Sequence, residues 1–149
     1  MNVVIDANLA LALILPLPYS RPAARQFERW KRARIALHAP ALWGYEVVSG
    51  LRKAVSDRAI SPESVQDGLG SMWGLNVVQV PQTPGLAAAS LRWAERLGRR
   101  VAYDAAYVAL AEYLNAEFWT ADGSLGRNLQ QQGIAWANWI GAENGSAAV

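Results

Sequence analysis

Four carboxylates stand at positions where they could do chemistry together: Asp6, Glu46, Asp104 and Asp122. Asp6 ends the β-branched run Asn2-Val-Val-Ile5 and precedes an apolar stretch from Ala7. Asp122 follows Phe118-Trp-Thr120 and precedes Gly123, while Asp104 opens a run of Ala, Tyr, Val and Leu. Glu46 lies inside the helix-type segment from Ala41, with no basic residue three or four positions away to pair with it. Each has an ordinary reading taken singly. An Asp between a strand and a helix caps free N–H groups, Asp-Gly is a turn pair, Tyr103 and Val108 could staple a helix start at Asp104, and Glu46 could be a solvated helix residue. As a set they point elsewhere. Carboxylates gathered in one crevice repel and raise one another's pKa. Divalent cations relieve that repulsion, and two-metal phosphoryl chemistry requires such a site.

Composition narrows the metal. The chain has no cysteine and one histidine, His38. Disulfides, thiolate sites and histidine-rich zinc sites are excluded, as is a ribonuclease built on a histidine pair. An all-oxygen donor set selects hard cations, Mg²⁺ or Mn²⁺. The formal charge is +2. If four of the 12 acids are committed to cations, 14 basic residues face 8 remaining acids, a balance suited to a phosphate backbone.

The elements that must position these residues read as one α/β domain of 149 residues. Strands are expected at Asn2–Ile5, Ile35–His38, Asn76–Val80, Glu117–Thr120 and Ile134–Trp136. Helices are expected over Ala7–Leu15, from Ser20 as cap to about Arg34, over Ala41–Asp57, from Ser61 to about Gly74, from Thr83 to Leu97, from Asp104 to Asn115, and after Ser124. The Ala41–Asp57 helix carries an apolar stripe of Val47, Val48, Leu51, Ala54 and Val55. Strands alternating with helices imply a three-layer α/β/α fold with a central, mostly parallel twisted sheet. In such a sheet the strands' C-terminal ends share one edge, where ligands bind. The domain is expected to span 1–140, with a short flexible tail over 141–149. The apolar stretch Leu9–Leu17 is broken by Pro16 and Pro18, and the start lacks the basic region of a leader, so no membrane association and a cytoplasmic location are expected.

Four short segments carry a resemblance: Val3-Val-Ile-Asp6-Ala-Asn-Leu9, Pro40-Ala-Leu-Trp-Gly-Tyr-Glu46-Val-Val-Ser-Gly-Leu-Arg-Lys53, Val101-Ala-Tyr-Asp104-Ala-Ala-Tyr-Val-Ala-Leu-Ala111 and Phe118-Trp-Thr120-Ala-Asp122. In this order and spacing the chain resembles the PIN-domain family, most of all its VapC-type toxins of bacterial toxin–antitoxin pairs. The resemblance implies a PIN-like fold and an endoribonuclease that hydrolyses RNA phosphodiester bonds by in-line attack of water. It implies that Asp6, Glu46, Asp104 and Asp122 form the family's acidic quartet, holding Mg²⁺ or Mn²⁺. Asp6 and Asp104 would be direct ligands, and Glu46 and Asp122 would complete the shell or orient the water. Thr120 corresponds to a supporting hydroxyl. Asn8 departs from the Ser or Thr of many relatives but still offers an oxygen. Tyr107 stands where some nucleases of the wider family have another acid, which leaves the number of metal ions open. The resemblance also implies a homodimer held inactive by a cognate antitoxin, which sends a basic residue toward the acidic site.

Two other readings compete. The fold could serve as a catalytically silent PIN-like interaction module, its acids being caps and turns. Alternatively Asp6 could be the nucleophile of a phosphatase, although that chemistry often wants a second acid where Asn8 stands and leaves Glu46 idle. For holding RNA, the basic segment Arg21–Arg34 and the group Arg92, Arg96, Arg99 and Arg100 are candidates; otherwise they are solvated helix faces. The seven tryptophans are expected in cores and interfaces, with Trp30, Trp73 and Trp93 covering partner surfaces.

Overall fold

A computed structural model describes residues 1–142. Most of the expected tail therefore lies outside the described residues. The elements in order are β1 (Asn2–Ile5), α1 (Ala7–Ile14), α2 (Ser20–Arg32), β2 (Ala36–Pro40), α3 (Leu42–Ser56), α4 (Ser64–Gly74), β3 (Val78–Val80), α5 (Pro84–Arg96), α6 (Tyr103–Tyr113), β4 (Glu117–Thr120), α7 (Gly123–Gln131) and β5 (Ala137–Trp139), followed by a 3₁₀ turn at Ile140–Ala142. The five strands form one sheet in the order β3-β2-β1-β4-β5, and every pairing is parallel. The all-parallel sheet agrees with the near-continuous apolar character of the central strands, whose residues Val3, Val4, Ile5 and Phe118 have no exposed surface.

Helix boundaries follow local chemistry. Thr83 caps α5 by accepting the Leu86 N–H at 3.1 Å. Gly98, at φ +67°, lets the chain leave that helix in the left-handed region. Along α3 the buried stripe is Trp43, Val47, Leu51 and Ala54. Val48, expected in it, is 48% exposed because it falls on the other side of the helix.

Several other expectations are corrected. Ser20 does not cap α2; its hydroxyl accepts from Leu17 N–H at 2.8 Å and donates to Leu15 C=O at 2.7 Å, tying the α1–α2 link. Ser61-Pro62-Glu63 form a turn before α4 rather than its first residues. The last strand lies at Ala137–Trp139, not Ile134–Trp136, because Ala137 N–H turns back to Ile134 C=O. Trp30 and Trp93 are core residues, packed edge-to-face on Trp119 and Trp136 respectively. Of the three tryptophans assigned to surfaces, Trp73 is the exposed one, at 66%.

Candidate active site

The winding of the sheet reverses at β1: β2 and β3 lie on one side, β4 and β5 on the other. A reversal of this kind opens a crevice at the C-terminal ends of the strands where it occurs. Asp6 follows β1 and Asp122 follows β4, so both border it. Each is an N-cap. Asp6 Oδ1 accepts the Leu9 N–H at 2.8 Å, starting α1, and Asp122 Oδ1 accepts the Leu125 N–H at 3.1 Å, starting α7. Ser124, expected to cap α7, lies within the helix, which Asp122 caps instead.

Thr120 joins the two caps. Its buried hydroxyl donates to Asp6 Oδ2 and accepts the Asp122 N–H at 2.9 Å. The register that pairs Ile5 with Trp119 brings Asp6 and Thr120 together. One connected set of hydrogen bonds thus runs from Leu9 through Asp6, Thr120 and Asp122 to Leu125.

The other two acids arrive on helices. Helix α6 leads directly into β4, so its first turn lies at the C-terminal edge of the sheet. The helix begins one residue before Asp104, and its N-cap Ala102 supplies no side-chain bond. Asp104 is therefore inside the first turn rather than capping it. Tyr103 is 64% exposed and makes no staple. The Asp104 carboxylate accepts no hydrogen bond among the described residues, while its first-turn position suits the positive end of the helix dipole.

Glu46, on α3, is half-buried rather than solvated. Its Oε1 accepts a 2.7 Å hydrogen bond from the Tyr107 hydroxyl. Tyr107 lies one turn after Asp104 on the same face of α6 and is almost wholly buried. That i, i+3 spacing was visible in the sequence, but the partner on a helix 61 residues away was not. Asn8 is exposed on α1 and makes no bond to the acids. With Glu46 and Ala121 it lines an open cleft of ≈ 550 Å³ that continues over the apolar side chains of α1 and α3.

The electrostatics are those of a partly buried acidic cluster that a single guanidinium, Arg99, offsets in part. The Asp6 carboxyl is pushed up to about 7, first by burial and then by the charges of Asp104 and Asp122; the bonds from Thr120 and Leu9 oppose the rise. Burial and the Asp104 charge raise Glu46, against the Tyr107 bond. Burial and Asp122 raise Asp104, against the Arg99 guanidinium. Burial, followed by the nearby Glu46, raises Tyr107, which keeps its phenol a proton donor.

The sequence-selected quartet thus meets at one sheet edge. Among the described residues, no three acidic or histidine side chains already close on a single point as a ligand cage. They are neighbours whose charges act on one another. In donor type and charge they suit a hard divalent cation: all donors are oxygen, Asp104 accepts no hydrogen bond among the described residues, and the charges of the acids raise one another's pKa in addition to burial.

Comparison with known proteins follows the same lines. The model of the PIN domain matches residues 3–128. The chain is 36% identical over 131 residues to VapC ribonuclease Mb0985 of Mycobacterium bovis, covering 87% of this chain and 93% of that protein. It is 32% identical over 126 residues to Ribonuclease VapC12 of Mycobacterium tuberculosis, covering 85% and 91% respectively. Its fold is similar to the crystal structure of PAE2754 from Pyrobaculum aerophilum, with a TM-score of 0.66, 20% identity, and coverage of 95% of this chain and 85% of that one. It is also similar to VapBC2 from Rickettsia felis, solved bound to a DNA fragment from their promoter, with a TM-score of 0.65, 14% identity, and coverage of 93% and 99%.

Proposed function

This chain belongs to the PIN-domain family, among proteins of the VapC type, and from that premise we propose that it is a metal-dependent endoribonuclease and the toxin of a toxin–antitoxin pair. The observation that carries the reading is the meeting of Asp6, Glu46, Asp104 and Asp122 at the reversal point of the sheet, with pKa values of three of them driven upward. A silent module would need its acids only as caps. Asp104 caps nothing and Glu46 lies mid-helix, so neither has such a role.

The residues that would hold Mg²⁺ or Mn²⁺ are Asp6 and Asp104 as direct ligands, with Glu46 and Asp122 completing the set. When bound, the cation supplies Lewis-acid stabilisation of charge on the phosphoryl oxygens and a more acidic water. The chain's own groups do the rest. Thr120 fixes the Asp6 carboxylate and the backbone of Asp122 together, so the two strand-end acids keep one geometry. Tyr107 occupies Glu46 Oε1 and orients its carboxylate. The Asp104 carboxylate accepts no hydrogen bond among the described residues, so both its oxygens would be available to the cation. No histidine joins the four acids.

The cognate antitoxin, a homodimeric state and a cytoplasmic location belong to the same proposal. They rest on the family; no helix among the described residues is long and apolar enough to cross a membrane. A phosphatase using Asp6 as nucleophile is disfavoured, because Asn8 stands where that chemistry often wants a second acid and Glu46 would be left without a role.

The deciding experiment follows Mn²⁺-dependent cleavage of a labelled RNA by the wild type and by Asp104→Asn. Loss of cleavage in a variant that melts normally is the expected result. Full activity in that variant, or wild-type cleavage unaffected by a chelator, would remove the assignment.

A further inference from the structure

Beside the acidic edge the chain builds an indole platform that the quartet does not use. Trp139, at the end of β5, is enclosed by three glycines. A Cβ at Gly123 would come within 2.9 Å of its ring, one at Gly126 within 2.6 Å of its Cβ, and one at Gly141 within 2.5 Å of its ring. Tyr19 meets the indole edge-to-face at 6.2 Å. On this fixed ring lies the guanidinium of Arg127, 5.3 Å from the centroid. Gly123, the residue after Asp122, is also what admits Arg127: a Cβ there would stand 3.0 Å from its Nη1. An exposed arginine is thereby seated against the backbone adjoining the acidic quartet. A guanidinium stacked on an aromatic face keeps its donor edge in place for a phosphate and loses less entropy on binding than a free side chain.

A second basic surface begins nearby, on α2. Tyr19 is the N-cap residue of α2, so its contact with Trp139 sets the start of α2 beside the platform. Helix α2 buries Pro22, Ala23, Gln26, Phe27 and Trp30. Its opposite face exposes Arg21, Arg25, Arg29 and Arg32, one helical turn apart, and between Ser20 and Arg34 the single acid is Glu28. The geometry points to a track for the phosphate backbone of single-stranded RNA, running from Arg127 on Trp139 to Arg21 and Arg25 on α2. This inference rests on the ribonuclease reading, since it presumes an RNA whose scissile phosphate lies at the four acids. Charge complementarity selects the occupant. The acidic edge repels the RNA strand except where a cation sits, and the neighbouring basic surface holds the flanking phosphates.

The test separates binding from cleavage. A fluorescent single-stranded oligoribonucleotide is titrated by anisotropy over a salt series in the Asp104→Asn background. The variants compared are Arg127→Ala, Arg127→Lys and the pair Arg21→Glu with Arg25→Glu. Arg127→Ala should weaken binding roughly three- to tenfold and flatten the salt slope by about 0.7, the share of one phosphate contact on a single strand. Arg127→Lys should restore most of the slope but not all of the affinity, because the ammonium cannot stack as a plane. The α2 pair should lose more than either. In the cleavage-competent protein the same changes should raise KM while leaving kcat near the wild-type value. Unchanged affinity and slope in both Arg127→Ala and the α2 pair would overturn the track. So would a polyglutamate peptide that binds as tightly as RNA and is lost in the same variants, since the surface would then serve an acidic protein segment. If the wild type binds RNA through these arginines yet does not cleave it, the nuclease reading fails and the track stands.

Discussion

The two acids at strand ends and the two acids on helices border one crevice but are held by different means. Asp6 and Asp122 are fixed by the fold itself. Each gives one oxygen to a helix N-terminus, and Thr120 ties them to each other. Glu46 and Asp104 are placed by helix packing, with one hydroxyl bonded to Glu46 and only the charge of Arg99 attracting Asp104. A carboxylate has two oxygens and several lone pairs, so capping a helix and facing a cation are compatible duties. The strand-end pair caps two helices and keeps lone pairs over for such a role. In the helix pair Glu46 satisfies the buried Tyr107 hydroxyl, whereas the Asp104 carboxylate accepts no hydrogen bond among the described residues, so its presence in a partly buried, mutually repelling cluster points to a ligand.

The largest expected effect separates the pairs directly. Asp104→Asn should lower metal-dependent cleavage by at least roughly a hundredfold, on the scale of losing one charged group at a phosphoryl-transfer site. Its melting temperature should hold or rise, because no hydrogen bond is lost and one repelling charge is removed. Asp122→Ala should also lower activity but should in addition cost about 1 kcal/mol of stability through the lost cap. Thermal denaturation of both variants without metal decides the matter; equal stability losses would erase the distinction between the pairs.

A pH effect comes next in size. The folded-state carboxyl of Asp6 titrates near 7, above its ordinary value of 3.8. The folded protein therefore holds that proton more tightly than the unfolded chain, and without metal stability should fall as pH rises from about 4 to about 7. Divalent cations bind the deprotonated form, so excess Mn²⁺ should stabilise the protein increasingly as pH passes through the same window. Melting curves with Mn²⁺ and with chelator should diverge as pH increases; parallel curves would show that Asp6 does not face the cation. The hydroxyl between the strand-end acids supplies a related check. Thr120→Val keeps the shape but strips a donor from buried Asp6 and an acceptor from the Asp122 N–H. It should cost about 1–3 kcal/mol and move the onset of Mn²⁺ stabilisation to higher pH.

The same division governs what the sequence reveals. Asp6 and Asp122 were legible because an apolar strand run ending in Asp before a helix is a local pattern, and a parallel sheet turns it into a shared edge. The core strands were legible for the same reason. The edge strand β5 was not. Ile134 and Trp136 are apolar, but their segment turns back on itself, and the ladder forms three residues later, where Trp139 reaches the glycines that enclose it. Glu46 showed itself only by lacking an intrahelical partner. That its partner is Tyr107 depends on how α3 and α6 approach each other, which no local periodicity encodes. Likewise Arg127 gave no local sign of stacking on Trp139, because the contact exists only once β5 is in place beside β4.

The smallest expected effect tests how firmly the helix pair is set. Tyr107→Phe removes one hydroxyl and keeps the ring that packs against Phe118, 6.4 Å between centroids. Stability should change by no more than about 1 kcal/mol, since the lost bond is to a half-buried carboxylate that water can solvate instead. Activity should fall roughly three- to tenfold, because Glu46 would be free to rotate and its carboxyl would lose a contact that favours the charged form. If Tyr107 acts through Glu46, its loss should matter little once Glu46 is already Gln. The double variant would then be about as active as Glu46→Gln alone. Additive losses would instead mean that the phenol acts on the reaction independently of Glu46.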